Sequence, residues 1–115
     1  MSLTPKTALA LWHGSLKRLL AGEAPALSTR QMAILLSVYL DPPPHTLRGL
    51  SAALRISESA AARAIDVLER HDFLRRRRDQ EDRRNIHLHR TVKGAVYLND
   101  FGELVAAVDV GSPVV

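Results

Sequence analysis

Thirteen of the sixteen Lys/Arg residues in this 115-residue chain are arginine, and eight of them fall between Arg70 and Arg90. The densest stretch reads Arg75-Arg76-Arg77-Arg78-Asp79-Gln80-Glu81-Asp82-Arg83-Arg84. A guanidinium is permanently charged and presents a planar fork of donors that matches the oxygens of phosphate and carboxylate groups. Polyanion binding is therefore the chemistry open to this stretch, in competition with the carboxylates inside it. Arg83 and Arg84 can pair within the loop to Asp79, Glu81 or Asp82, face an external anion, or do both. Arg75 to Arg78 can be a solvated charged strand. If they meet a ligand, at most two of the four can do so from one face, because strand side chains alternate. Arg76 and Arg78 are the candidates.

The charge is also unevenly placed. From Arg48 to Lys93 there are twelve Lys/Arg against seven Asp/Glu, within a whole-chain formal charge of +4. A sequence pI near 10.1 fits a nucleic-acid footprint, and clustering says more than the total. Other chemistries are poorly represented. There is no cysteine, which removes disulfides, thiolate metal sites and cysteine redox switches. His87 and His89 lie two apart and would need further ligands to hold a metal, so surface or phosphate-facing histidines are the expectation. His13, His45 and His71 are scattered. No glycine-rich phosphate loop, nucleophile beside a base or paired carboxylate set is present, so no enzyme activity and no cofactor are expected. No apolar run is long enough to span a bilayer, and the N-terminus lacks a continuous apolar signal core. A soluble cytoplasmic chain of one domain, residues 1–115, is the expectation, with no membrane partner.

Around the arginines the spacing predicts helices. Thr4-Pro5 opens one over residues 4–21, with Leu9, Trp12, Leu16, Leu19 and Leu20 at helical intervals, and Gly22 closes it. Ser28 and Gln31 fit a capping box that opens a second helix. Its Met32, Leu35, Leu36, Val38 and Tyr39 make it a central buried element, and Asp41-Pro42-Pro43-Pro44 ends it. A short third helix, Leu47 to Leu54, turns at Arg55-Ile56 into a fourth, capped by Ser57 and running from Glu58 to Arg70, with Ala61, Ile65 and Leu68 inward. Two strands follow, about Phe73 to Arg77 and Asn85 to His89, the second alternating Ile86 and Leu88 with the histidines. Thr91 caps a last helix, about 92–109, carrying Val92, Val96, Leu98, Phe101, Leu104, Val105 and Val108, with Gly111-Ser112-Pro113 ending it.

The third and fourth helices have helix-turn-helix dimensions. In such a unit the N-terminal residues of the second helix meet base edges in a DNA major groove. Here Ser57, Ser59, Ala60 and Arg63 hold those positions. Arg63 can reach guanine or a phosphate, or instead pair with Asp66 at i, i+3. The alanines 60–62 allow close approach to a groove, or are there because alanine is the best helix former. The start of the short helix near Thr46 can hold a phosphate.

With the arginine-tipped hairpin, this pattern resembles the MarR (multiple-antibiotic-resistance regulator) family of winged helix-turn-helix transcription factors. The resemblance covers residues 28 to about 105. Its carriers are Leu50-Ser51 through Ile56-Ser57-Glu58-Ser59-Ala60-Ala61-Ala62-Arg63, then Leu68-Glu69, the spacing Asp79-x-x-Asp82-x-Arg84, and Thr91 with Gly94. The chain departs from the family where Asp72 replaces a glycine and Arg90 a leucine. It also stops at Val115, where members continue into a further helix that helps build the dimer, so it reads as a short member. The resemblance implies a mainly α (α+β) fold: four helices, a two-stranded β-wing hairpin and a C-terminal helix. It implies that Arg84 enters a minor groove and that Asp82 orients it, which suits the negative potential of a narrow minor groove.

The expected partner is double-stranded DNA, with the recognition helix 58–70 in the major groove and the wing 75–89 on the backbone and minor groove. Thr46, Ser57, Ser59, Ala60, Arg63, Arg76, Arg78, Arg83 and Arg84 are the candidate contacts. A homodimer is expected through Leu9, Trp12, Leu16, Phe101, Leu104, Val105 and Val108 of the terminal helices, stripes that could otherwise be core. Family members often respond to small-molecule effectors, and no such pocket is identifiable from these residues. The alternative is a winged helix used as a protein-interaction or dimerisation module without sequence-specific DNA binding.

Overall fold

A computed structural model describes residues 3–110. In chain order the elements are α1 (Pro5–Ala21), α2 (Thr29–Leu40), α3 (Leu47–Leu54), α4 (Glu58–Arg70), β1 (Leu74–Arg78), β2 (Ile86–Arg90) and α5 (Val92–Ala106). Among the described residues this makes five helices and one two-stranded antiparallel hairpin. The chain divides into two compact units: residues 27–97, and the terminal segments up to Ala26 and from Leu98 onward.

In the 27–97 unit, α4 packs on α2, α3 and β1, and β2 packs on α2 and α3. Its core is Ile34, Leu35 and Val38 of α2, Leu50 of α3, Ala61, Ala64, Ile65 and Leu68 of α4, with Phe73, Leu74, Leu88 and Tyr97. Ala61, Ile65 and Leu68 recur at 3–4-residue spacing, so α4 shows one apolar stripe inward and leaves its charged face out.

The helix starts are fixed locally. Ser28 Oγ accepts from the Gln31 amide at 3.2 Å while Gln31 Oε1 accepts from the Ser28 amide at 2.9 Å, a complete capping box. Thr46 and Ser57 cap α3 and α4 through the amides of Gly49 and Ala60; such caps are each worth about 1 kcal/mol. The ends of α3 and α4 share one device. Ile56 N donates to Ser51 O and Arg55 N to Ala52 O; Phe73 N donates to Leu68 O and Asp72 N to Glu69 O. Both are Schellman turns, and both require a left-handed residue, supplied by Arg55 at φ 57° and Asp72 at φ 60°. Asp72 therefore does hold the conformation for which glycine is usual.

The same turn corrects the strand limits. Because the Phe73 amide closes the end of α4, pairing begins at Leu74, and the strands lie one residue later than the spacing suggests. Their register runs from Leu74 opposite Arg90 to Arg78 opposite Ile86. The α2–α3 loop adds to this sheet: Leu88 N donates to His45 O at 2.8 Å and Thr46 bridges His87.

Among the terminal segments, α1 is capped by Thr4, with Pro5 at its first position. Its buried residue is Ser15, whose hydroxyl donates to Leu11 O. Leu9, Trp12, Leu16 and Leu20 are exposed, with Leu9 at 69% and Trp12 at 58%. The stripe chosen for its spacing is thus not the core stripe of the single chain. Helix α5 ends at Ala106, earlier than expected, as Val108 N folds back to Val105 O. The proposed stop at Gly111-Ser112-Pro113 lies outside the described residues.

Candidate nucleic-acid interface

The start of α4 exposes Ser57, Ser59 and Arg63, with Ala60 half-buried. Ser57 Oγ is committed as the cap and also lies 3.1 Å from Ser59 Oγ. No carboxylate lies within ion-pair distance of Arg63 among the described residues. Asp66, which helical spacing offered as an alternative i, i+3 partner, is taken by Arg76. Arg63 instead shares a cleft with Ser28, Arg30 and Gln31 at the start of α2. Arg30 was not singled out in the sequence, since only the α2–α4 packing brings it there.

At the hairpin tip, Asp79 builds the turn. Its Oδ1 accepts from the amides of Glu81 at 2.9 Å and Asp82 at 3.4 Å, while Oδ2 lies 3.3 Å from His87 Nε2. Asp82 Oδ1 accepts from both the backbone amide and Nε of Arg84, each at 3.1 Å. Arg84 is consequently held by a carboxylate two residues away while its side chain remains 86% exposed. Arg78 donates to Arg83 O at 2.8 Å, tying the strand end to the tip. Arg83 itself is exposed and makes no ion pair with the described residues.

These hydrogen bonds favour the ionised carboxylates. The Glu81 and Asp82 amides hold Asp79 below its ordinary 3.8, and Arg84, through its side chain and then its amide, holds Asp82 below 3.8. Depressed folded values mean that the contribution to tip order is present above 3.8 and is lost as pH falls through the lower folded values. The Glu81 and Arg84 amide resonances should therefore stay at their neutral-pH positions down to about pH 4. A midpoint at or above 3.8 would show that the carboxylates do not organise the tip.

Arg48 of α3 pairs with the start of α4. Its Nε donates to Glu58 Oε1 at 3.2 Å. It also adds to the lowering of the Asp82 carboxyl, after Arg84 and against the opposing effects of burial and Asp79. Arg48–Glu58 at the start of α4 and Arg84–Asp82 at the tip are thus two exposed ion pairs. Nothing in the local sequence marks Arg48, because its partner is ten residues on.

Arg76 is placed differently from Arg78, Arg83 and Arg84. It is 31% exposed and pairs with both Asp66 and Glu69 of α4, its backbone amide also donating to Glu69 Oε2 at 3.2 Å. It braces the hairpin against the helix. Thr46 is half-buried at the α3 cap, where the sheet contact of the α2–α3 loop locates it.

A helix-turn-helix whose second helix is braced to an arginine-tipped antiparallel hairpin is a winged helix-turn-helix. A model of the MarR family matches residues 27–86, more than half of the chain and all within the 27–97 unit. The chain belongs to the MarR family, whose members are transcription regulators and not enzymes. Solved structures agree in fold. YusO from Bacillus subtilis superposes with a TM-score of 0.73 at 18% identity, over 88% of this chain and 69% of that one. The transcriptional repressor CouR, bound to a 23-mer DNA duplex, gives 0.72 at 24% identity, over 90% and 70%. The transcriptional regulator BldR from Sulfolobus solfataricus gives 0.63 at 28% identity, over 87% and 72%. No curated protein matches the chain in sequence.

Proposed function

We propose that the chain is a DNA-binding transcriptional regulator that places the first turns of α4 in a major groove and its hairpin tip on the adjoining backbone and minor groove. The observation that carries this is the tip itself: Arg84 is oriented by Asp82 through its backbone amide and Nε yet left exposed. A minor groove's negative potential is what an arginine so presented would meet. Arg63 then addresses base edges or phosphate, Arg78, Arg83 and the α3 start at Thr46 address the backbone, and Arg76 holds the wing angle through Asp66 and Glu69. CouR, of the same fold, is seen on duplex DNA.

The chain acts as a homodimer in this reading. Leu9, Trp12 and Leu16 are exposed, and Phe101, Leu104, Val105 and Val108 are only half-buried. All seven belong to the terminal unit, and the candidate interface belongs to the other. Burying such stripes helix on helix is the ordinary route to a two-fold dimer. No helix among the described residues is long and apolar enough to cross a membrane, consistent with a cytoplasmic regulator.

Selection from a random duplex pool, followed by anisotropy at several salt concentrations, tests the reading. Selected sequences should carry two related half-sites about one helical turn apart. Log affinity should fall against log salt by about 0.9 for each phosphate neutralised, and so by about 3.6 or more overall if Arg78 and Arg83 of both protomers meet phosphates. A chain that binds no duplex even at low salt is not this regulator.

A further inference from the structure

The interface described uses one part of the hairpin and leaves another basic surface unassigned. Cross-strand partners share a face, so the register places Arg75 with His89 and Arg77 with His87 on the face opposite Leu74, Arg76 and Leu88. Leu74 and Leu88 are buried, whereas Arg75, Arg77 and His89 are exposed. Near the base of this outer face lies a cleft of about 650 Å³, lined by Arg75, Arg77, His89, Arg90 and Lys93 together with Asp72.

Four cations and a single carboxylate therefore line this cleft. That carboxylate, Asp72, lies 3.6 Å from Arg75 Nε, and neither Arg77 nor Lys93 has an ion-pair partner among the described residues. Arg90, the cross-strand partner of Leu74, is tied to α2: its Nε donates to Val38 O at 3.0 Å and its guanidinium lies 5.6 Å from the centre of the Tyr39 ring. Cations in excess of carboxylate, drawn from two strands and the following helix, attract a compact anion with several oxygens.

The geometry points to a phosphate-binding cleft at the base of the outer wing face, distinct from the hairpin tip. The phosphate is either a DNA backbone phosphate beyond the tip contact, which rests on the proposed DNA-binding function, or the phosphate of a free small molecule, which does not. Pyrophosphate is the probe. It is titrated into the DNA-free chain at constant ionic strength and followed by NMR of arginine, lysine and histidine side chains. Saturable shifts at Arg77, His89 and Lys93 are expected, absent in an R77A/K93A variant that keeps the wild-type unfolding midpoint.

The second arm measures duplex affinity against salt. If DNA supplies the phosphate, R77A/K93A makes the slope shallower by about 2. If a free molecule supplies it, the slope is unchanged while the pyrophosphate response remains. Pyrophosphate shifts that persist in the variant, or no saturable shift together with an unchanged slope, overturn the cleft. Should the wild-type chain bind no duplex, the DNA-binding function fails, and the pyrophosphate arm alone then decides whether the cleft exists.

Discussion

Alanine at Arg84 should weaken duplex binding by about 2 kcal/mol, roughly thirtyfold, the scale of losing one well-placed arginine contact. Alanine at Asp82 should also weaken it, by up to about fivefold, although that change removes a negative charge from the surface facing a polyanion. The signs separate two physical accounts. If net charge alone set affinity, deleting Asp82 would tighten binding, and the gain would be modest because exposed charges are screened beyond about 8–10 Å. In the structure, however, Asp82 holds both Nε and the backbone amide of Arg84. A long side chain ordered before binding avoids about 0.5–1.5 kcal/mol of ordering cost at the moment of contact. Freeing it returns that cost, and the loss outweighs the screened repulsion. Anisotropy on a selected duplex at fixed salt reads both variants. An affinity for Asp82→Ala above that of the wild type would remove the orienting role, and an unchanged Arg84→Ala would remove the wing contact itself.

The tip was legible in sequence because its chemistry is local. Asp79, Asp82 and Arg84 lie within six residues, and their contacts are contacts of near neighbours. The helix starts were legible for the same reason: Thr4, Ser28, Thr46 and Ser57 each bond an amide three residues on. What depends on packing was not visible. Asp66 could be matched to Arg63 by helical spacing, but β1 returns alongside α4 and delivers Arg76 to Asp66 and Glu69 instead. Arg48 reaches Glu58 only because α3 and α4 are joined at the tight turn through Arg55. His45 carried no signal as a residue, since its part in the fold is a backbone carbonyl given to Leu88. In α1, periodicity located an apolar stripe but could not say that Ser15 would be buried and Trp12 exposed.

Gly94 shows how much can hang on one such packed position. Gly94→Ala should lower stability by about 3 kcal/mol or more, at the upper end of what overpacking costs. A Cβ there would stand 2.1 Å from Phe73 O and 2.2 Å from Tyr39 Oη. Neither neighbour can easily yield. The Phe73 amide closes the Schellman turn of α4 on Leu68 O, and Tyr39 Oη accepts from the Thr91 amide at 2.9 Å while lying within hydrogen-bond distance of Phe73 O and Thr91 O. Thr91 Oγ1 adds a further tie, donating to Asp72 O and accepting from the Gly94 amide. The end of α4, the start of β1 and the start of α5 therefore meet at a point where only a hydrogen fits. The same helix contains its own control. Gly102 has nothing within 4 Å of an added Cβ, so Gly102→Ala should stabilise by up to about 1 kcal/mol, the helix propensity difference. Urea unfolding of the two variants should thus move the midpoint in opposite directions. Matching midpoints would mean that α5 does not approach Phe73 as closely as this packing requires, and the rigid link between α4 and the hairpin would lose its basis.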